Sequence, residues 1–116
     1  MKRQDAEKSG RRGETRAAWY LRRRGYRILA RRERTPRGEI DLVARRLNTI
    51  VFVEVKTRAS PAELDYAIDE YRLERVAAAA EILGPKFASR GEDIRIDVIL
   101  IAPGHKPRHI ENAWIG

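Results

Sequence analysis

The chain lacks cysteine and has only two histidines, His105 and His109, in 116 residues. It therefore has no disulfide framework and no thiolate ligand, which disfavours a zinc-type metal site. A chain without cysteine fits the cytoplasm, where thiols stay reduced. No apolar run approaches the roughly 20 residues that cross a bilayer, so we expect no membrane partner.

Acidic residues are scarce in the first third of the chain. Residues 1–37 contain 14 Lys or Arg and 4 Asp or Glu, whereas the remainder contains 11 and 13, so the net charge of +8 divides into +10 and −2. Such a division is typical of a polyanion-binding surface beside a cation-binding site, and it favours nucleic acid as a partner. Two alternatives stay open: an Arg-rich face that keeps a small protein soluble, and attraction to anionic lipids.

Length and composition predict one folded domain. The hydrophobic fraction of 42% lies in the globular range. Residues 1–10 are polar and charged without an apolar period, and we expect a flexible basic N-terminal tail there. Residues 11–116 then form a single domain.

The apolar periodicity predicts an α/β domain with the order α-β-β-β-α-β-β. The expected elements are a helix over residues 11–24, a strand over 26–30, a polar turn over 31–37, a hairpin over 39–56, a helical region over 60–85, and strands over 94–101 and 109–115. Ser60 with Glu63 forms a capping box, and Asp69 is a candidate cap for a second helix. A meander followed by a helical crossover implies a mixed β-sheet, partly parallel and flanked by helices.

Two acidic segments fall on the two strands of the predicted hairpin. They are Gly38-Glu39-Ile40-Asp41 and Val53-Glu54-Val55-Lys56. Because side chains alternate between the faces of a strand, Glu39 shares a face with Asp41, opposite Ile40 and Leu42, and Glu54 shares a face with Lys56. A turn centred on residues 47 and 48 places Asp41 directly opposite Glu54, and a slip of one residue would separate them.

Opposed carboxylates repel each other, so a cation between Asp41 and Glu54 would make the pairing favourable. Carboxylate oxygens suit Mg²⁺ or Mn²⁺. Such a cation would lower the pKa of an attacking water, and Lys56 would contact the attacked phosphate. The pattern is that of a metal-dependent phosphodiester nuclease. The alternative is an ordinary solvated face with a Glu54–Lys56 ion pair, since a Glu-x-Lys match alone is weakly specific.

Glu14, His109 and the aromatic residues each have two interpretations. Glu14 extends the inward helical stripe of residues 17, 18 and 21, either as a site acid or as an acid that stabilises the helix dipole. His109 is either a general base or, as we favour, a structural residue of the last strand. The aromatic residues either stack on bases or, at helical and strand spacing, more often belong to the core. They are Trp19, Tyr20, Tyr26, Tyr66, Tyr71 and Trp114.

The element order and the acidic motif together resemble the restriction-endonuclease-like fold of the PD-(D/E)xK nucleases. Within that superfamily the chain resembles the YraN-like family of predicted endonucleases. The matching residues extend from about residue 13 to 114. They are Gly13-Glu14, Ala17, Tyr20-Leu21, Gly25-Tyr26, Gly38-Glu39-Ile40-Asp41-Leu42, Phe52-Val53-Glu54-Val55-Lys56-Thr57-Arg58, Asp97-Val98, His109 and Asn112-Ala113.

The resemblance implies a Mg²⁺- or Mn²⁺-dependent endonuclease that acts on DNA, on branched or single-stranded forms, as archaeal Holliday-junction resolvases do. By similarity, Asp41 and Glu54 are metal ligands, Lys56 is the catalytic lysine and Glu14 is the helix-borne acid near the metal. Glu39 is a further candidate ligand.

The expected nucleic-acid contacts come from arginines of the first helix, the turn and the later segments. They are Arg11, Arg12, Arg16, Arg32, Arg34, Arg37, Arg58 and Arg72. Two of them depart from the family pattern, which usually has Asn at residue 32 and Lys at residue 72. A homodimer is a candidate assembly, because a small single domain often needs a second copy to cut both strands. The alternative function is a nuclease-like module that binds nucleic acid or recruits a partner without cutting.

Overall fold

A computed structural model describes the backbone of residues 3–64 and 69–114 and the side chains of residues 11–63 and 69–114. Five strands form one sheet in the order β1-β2-β3-β4-β5. The elements are α1 Arg3–Arg23, β1 Arg27–Thr35, β2 Gly38–Arg46, β3 Thr49–Thr57, α2 Pro61–Leu64, α3 Glu70–Phe87, β4 Asp93–Ile101 and β5 Arg108–Ile110. The predicted α/β class and mixed sheet are confirmed, with one additional short helix.

The hairpin between β2 and β3 has the predicted register. Arg46 pairs with Thr49, so the connecting loop is only Leu47 and Asn48, and Leu47 adopts a φ of 53° to close the turn. The paired ladder extends to Leu42 and Val53, and the next position along it is Asp41 opposite Glu54. The two carboxylates therefore come to one place on the sheet.

The crossover from β3 to β4 makes the sheet partly parallel. β4 pairs with β3 in parallel from Thr49–Asp93 to Thr57–Ile101, and the other neighbouring pairs are antiparallel. The crossover contains α3, and Asp69 caps it by accepting hydrogen bonds from the backbone N–H groups of Tyr71 and Arg72 at 2.9 and 3.3 Å. The predicted second helix start at Asp69 is confirmed.

Two hydrophobic cores cover the two faces of the sheet. Ala17, Ala18 and Leu21 of α1 pack on one face, where Val51, Val53, Ile99 and Ile101 are fully or almost fully buried. On the other face α3 packs over a second cluster centred on Phe52. The two helices therefore sandwich β3, the strand that carries Glu54 and Lys56.

Two glycines let the helices approach the sheet closely. A Cβ atom at Gly13 would overlap Thr57 Oγ1, and one at Gly38 would lie 2.8 Å from the backbone oxygen of Arg75. Gly13 thus holds the helical turn of Glu14 against the end of β3. Gly38 holds the first turns of α3 against the start of β2, beside Asp41. Both contacts bring side chains of a helix to the acidic end of the hairpin.

Some predicted boundaries are wrong. β1 extends to Thr35, so most of the predicted 31–37 turn is a strand. β1 is an edge strand whose arginines are solvated on both sides, which removes the apolar alternation that predicts strands. α3 continues through Pro85 to Phe87, because a proline in the last turn leaves the earlier hydrogen bonds of the helix intact. β5 covers only three residues, Arg108–Ile110.

Other expectations concern the helices. α1 begins at Arg3 rather than at residue 11, because polar residues with good helix propensity continue a helix without an apolar stripe. The flexibility of residues 1–10 and the single-domain organisation stay predictions. The capping box is present in part, since the backbone N–H of Ser60 donates to Glu63 at 3.2 Å. Tyr66, Ala67 and Ile68 of the predicted helical region lie outside the described residues.

Candidate active site

A cleft of about 490 Å³ opens where β2, β3 and the start of α3 meet. Asp41 and Glu54 both line it, so the predicted pair of acids shares one solvent-accessible space. The remaining lining residues are Gly38, Glu39, Asp69, Tyr71, Arg72, Arg75 and Val76. We call this space the acidic cleft.

Asp41 replaces a backbone group in the β2–β3 ladder. Its Oδ2 accepts a hydrogen bond of 2.8 Å from the backbone N–H of Val55, one position past Glu54. Burial, and then the nearby charge of Glu54, raises the pKa of Asp41 to about 7, although the Val55 hydrogen bond acts in the opposite direction. Among the described residues, no basic side chain forms an ion pair with Asp41. It is therefore an under-compensated, half-buried carboxyl group.

The negative charge of Glu54 is compensated by two basic side chains. Its side chain is almost fully buried, and its Oε1 lies 2.9 Å from Lys56 Nζ and 3.2 Å from an Arg72 guanidinium nitrogen. Lys56 comes from the same face of β3, as the alternation predicts, and is itself buried. The Arg72 side chain is 57% exposed and reaches in from the solvent side of α3. Glu54 thus has one buried and one exposed partner.

Glu14 approaches from the other helix. It is buried, which confirms the inward stripe, and Arg32 Nε donates to its Oε1 at 2.9 Å. A guanidinium nitrogen of Arg31 lies 3.8 Å from the same oxygen. Glu14 does not line the acidic cleft, but its charge contributes to the raised pKa of Asp41. The structure thus brings Glu14, Asp41, Glu54 and Lys56 into one electrostatic unit.

The strands are irregular around Asp41. Arg32 adopts a φ of 54° in β1, and the β1–β2 pairing passes from Arg31–Leu42 to Glu33–Ile40 without pairing Arg32. Ile40 packs in the core under α3 and Leu42 in the core under α1, so the expectation that both point to one face is wrong. The interrupted alternation of β2 lies at the same level of the sheet as Arg32 of β1, whose backbone is left-handed. Asn tolerates this conformation better than Arg does, so the Asn typical of the family at residue 32 fits the backbone.

The donor set fits a hard divalent cation. Asp41 and Glu54 offer carboxylate oxygens, and since burial and then the charge of Glu54 raise the pKa of Asp41, a cation beside it would favour its charged form. In the described ranges, no group of three or more His, Cys, Asp or Glu side chains is already arranged around a metal position. Glu54 instead faces Lys56 and Arg72, and Glu14 faces Arg32. A cation would therefore exchange places with some of these basic groups.

The predicted nucleic-acid-binding arginines divide into two groups. Arg32 and Arg72 pair with site acids, and Arg34 lies 3.5 Å from Glu39 on the exposed face of β2. The second group is Arg11, Arg12, Arg16, Arg37 and Arg58, none of which forms an ion pair with a described carboxylate. The Arg58 guanidinium donates to the backbone oxygen of Thr57, and Arg37 lies in the turn between β1 and β2.

A buried network on β4 was not expected from the sequence. Asp97 is fully buried and accepts hydrogen bonds from two Arg95 nitrogens at 2.8 Å each, from His109 Nε2 at 2.7 Å and from the Asn112 N–H at 3.0 Å. Burial alone would raise the pKa of Asp97, but these hydrogen bonds outweigh it and lower the pKa. The sequence signal that could have revealed this network was the Arg95-x-Asp97 pair, which lies on one face of a mainly apolar strand.

His109 belongs to this network. Its Nε2 contacts Asp97, and its Nδ1 lies 3.3 Å from the Tyr20 hydroxyl, so both ring nitrogens have partners. The contacts anchor β5 to β4 and to α1. They agree with the favoured interpretation of His109 as a structural residue, although its role in activity stays untested.

The architecture matches a known fold. A search of solved structures matches Hjc from Archaeoglobus fulgidus, a Holliday junction resolvase, with a TM-score of 0.59 and 20% sequence identity over 86% of this chain and 73% of that chain. The five-stranded mixed sheet flanked by helices is the restriction-endonuclease-like fold. At this level of identity the match shows the fold alone.

Sequence comparisons give the family. Residues 13–101 match the profile described as "Uncharacterised protein family UPF0102", and the chain belongs to this family, as the YraN-like resemblance predicts. A "UPF0102 protein" from Erythrobacter litoralis is 67% identical over 98% of each chain. Another from Sphingopyxis alaskensis is 59% identical, also over 98% of each chain. A search of the described helices finds none long and apolar enough to cross a membrane.

Proposed function

We propose that the chain is a divalent-metal-dependent nuclease that hydrolyses phosphodiester bonds in DNA, and that the acidic cleft is its active site. The observation that carries the proposal is the meeting of Asp41 and Glu54 in one cleft, with Lys56 bonded to Glu54. The restriction-endonuclease-like fold supports it.

Asp41 and Glu54 would hold Mg²⁺ or Mn²⁺, with Glu14 and Glu39 as further candidate ligands. When bound, the cation supplies a lower pKa for the attacking water and stabilises the charge that develops on phosphorus. The under-compensated carboxyl group of Asp41 favours this occupancy, because a cation would relieve its repulsion by Glu54.

Lys56 and Arg72 provide the basic groups. Lys56 is buried beside Glu54 and donates to the phosphate or orients the attacking water. Arg72 has a largely exposed side chain, so it can leave Glu54 and follow an incoming phosphate with little loss of packing. Lys56 and Arg72 would thus exchange one anionic partner, the Glu54 carboxylate, for another, the phosphate of the DNA.

The contacts of DNA with the protein should be mainly electrostatic. Arg11, Arg12 and Arg16 of α1, which form no ion pair with a described carboxylate, would hold the phosphate backbone together with Arg58. The affinity for DNA should therefore fall steeply with salt. A homodimer would provide two such sites for two strands. A cytoplasmic location stays an expectation from the cysteine-free composition.

A second candidate function is a module that binds nucleic acid or recruits a partner without cutting. The observation that favours it is the pairing of Glu54 and Glu14 with protein cations, which satisfies these acids without a metal. The raised pKa of Asp41 argues for the nuclease, because a site that never binds a cation would gain stability by replacing this acid.

Cleavage assays decide between the two. Junction, flap, single-stranded and duplex DNA, and RNA, are incubated with Mg²⁺ or Mn²⁺ and with wild type, Glu54→Ala or Lys56→Ala. We expect cleavage by wild type and losses of about 100-fold or more in each variant. The matched controls are Glu81→Ala and Lys86→Ala on the exposed side of α3, which should cut as wild type does. Tight binding without cleavage under either metal would leave the module as the function.

A further inference from the structure

A second cleft lies along α1, on the other side of the sheet from α3. Arg16, Trp19, Tyr20 and Arg23 follow the i, i+3, i+4, i+7 spacing, so they occupy one side of the helix, next to its buried stripe. With Arg24, Lys106 and Pro107 they line a space of about 610 Å³. We call it the α1 cleft. Its second wall is the loop between β4 and β5.

The positive charge of the α1 cleft is uncompensated. Arg16 bonds to the backbone oxygens of Ala102 and His105 at 3.2 and 2.7 Å, which are neutral acceptors. Within the part of the chain that the structure describes, no carboxylate lies within ion-pair distance of Arg16, Arg23, Arg24 or Lys106. This differs from the acidic cleft, which is lined by several acids and where Arg72 pairs with Glu54. Four cations lining one space, with no acid among the lining residues, attract an anion.

An aromatic surface accompanies these cations. Trp19 is 57% exposed, although tryptophan is usually among the most buried side chains of a small domain. The Arg22 guanidinium lies 5.5 Å from the centre of one face of the indole. Tyr20 is held by His109, and the Arg24 guanidinium lies 4.5 Å from its ring centre. The expectation that these aromatic residues belong to the core is therefore wrong for Trp19.

We propose that the α1 cleft binds unpaired nucleotides of a single-stranded nucleic acid. Trp19 stacks on a base, and Arg16, Arg23 and Lys106 contact the phosphates on either side. A cationic groove with an exposed aromatic ring is the combination that binds single strands, because every base offers a flat face and every linkage a charge. In a duplex the bases are already stacked, so the indole would gain little from it.

The position of the cleft relates it to the acidic cleft. β3 and β4 are parallel and Lys56 pairs with Leu100, so the β4–β5 loop leaves the sheet at the same end as Lys56. Arg16 follows Glu14 by half a helical turn. A strand held in the α1 cleft would therefore run toward the acidic cleft past the turn of α1 that carries Glu14. The inference goes beyond the proposed cleavage and does not depend on it, since binding needs no metal.

The test measures binding with metal chelated. Fluorescein-labelled oligo(dT), oligo(rU) and a duplex of equal length are titrated with the full chain in EDTA, and anisotropy gives each Kd. We expect Trp19→Ala to weaken single-strand binding about tenfold and duplex binding less than twofold. Arg23→Gln and Lys106→Gln should each lower the slope of log Kobs against log salt by about 0.7.

Matched controls separate this site from general charge. Arg90→Gln removes an exposed cation just before β4, at the other end of the strand from Lys106. It should reduce the affinity for single strands and the salt slope less than Lys106→Gln does. Trp114→Phe changes the other tryptophan and should leave binding unchanged. If Trp19→Ala does not fold, as judged by circular dichroism, Trp19→Phe and the loop variant Lys106→Gln test the same cleft.

Three results would overturn the inference. One is an unchanged Kd for single strands in Trp19→Ala, and another is an equal loss for single strands and duplex. The third is binding to phosphatidylglycerol vesicles, reported by a Trp19 blue shift, without measurable oligonucleotide binding. If Lys56→Ala loses cleavage but still binds single strands, the inference about the α1 cleft stands. Failure of this inference is therefore distinguishable from failure of the nuclease proposal.

Discussion

Asp41 on β2 is half-buried and Asp97 on β4 is fully buried, and the environments of these two aspartates of one sheet are opposite. Asp97 accepts hydrogen bonds from Arg95, His109 and the Asn112 N–H, which lower its pKa. Asp41 accepts one backbone hydrogen bond and faces other acids, and its pKa is raised to about 7. A fully paired carboxylate stabilises a fold, whereas an under-compensated one destabilises it. The difference supports the proposal that Asp97 is a structural residue and Asp41 a functional one.

The largest effect expected from this comparison is in Asp97→Ala. Removing the acid leaves Arg95 and the Asn112 N–H without their shared acceptor, and we expect a loss of about 3–5 kcal/mol in the free energy of unfolding. Urea denaturation monitored by circular dichroism measures it. A loss below about 1 kcal/mol would mean that the network is peripheral to stability.

Asp41→Asn should change the free energy of unfolding in the opposite direction. The amide still accepts the Val55 hydrogen bond but carries no charge, so we expect the free energy of unfolding at pH 8 to rise by about 1–3 kcal/mol, less than the full pKa shift implies because of solvent screening. Thermal denaturation in EDTA measures the gain. Glu39→Gln on the exposed face of the same strand is the matched control and should change little. A destabilised Asp41→Asn would contradict the comparison.

The two aspartates also predict opposite responses to pH. The raised pKa of Asp41 means that the folded chain binds more protons there, so its unfavourable contribution is absent below about pH 4 and reaches its full value above about pH 7. The lowered pKa of Asp97 gives stability that is present above about pH 4 and is lost as pH falls further. The stability difference between Asp41→Asn and wild type should therefore stay level from pH 8 to about pH 7 and shrink from there to pH 5. A difference independent of pH would show that Asp41 is not strained by its charge.

The smallest expected effect is in Arg95→Lys. A lysine keeps the charge but gives up the two-point contact with Asp97, and we expect a loss of about 1 kcal/mol. Urea denaturation beside Asp97→Ala compares the two. An effect as large as that of Asp97→Ala would mean that the geometry of the contact, and not its charge, stabilises β4.

The sequence predicted most of the structural features that local sequence patterns determine. The Leu47-Asn48 turn, the Asp69 cap and the inward position of Glu14 follow from periodicity and turn chemistry, and the register of Asp41 and Glu54 follows from the turn. What it missed depends on tertiary contacts. The approach of Arg72 to Glu54 requires α3 to pack against Gly38, and the exposure of Trp19 depends on where the β4–β5 loop lies.

The strained backbone at Arg32 could not be predicted from the sequence pattern either. Arg32 has a positive φ inside a strand, which no propensity indicates for an arginine, and it is the residue that pairs with Glu14. Alternation also failed in the neighbouring strand β2, where Ile40 and Leu42 pack in different cores beside the candidate site. Local rules tend to fail where function sets the geometry.

Metal-dependent thermal stability tests the central claim most directly. Wild type and Asp41→Asn are melted at pH 7.5 with and without millimolar Mn²⁺. If Asp41 and Glu54 hold a cation, Mn²⁺ should raise the Tm of wild type by several degrees and leave that of Asp41→Asn unchanged, because a ligand stabilises only the state that binds it. Equal shifts in both proteins, or no shift in wild type, would contradict the assignment of the acidic cleft as a metal site.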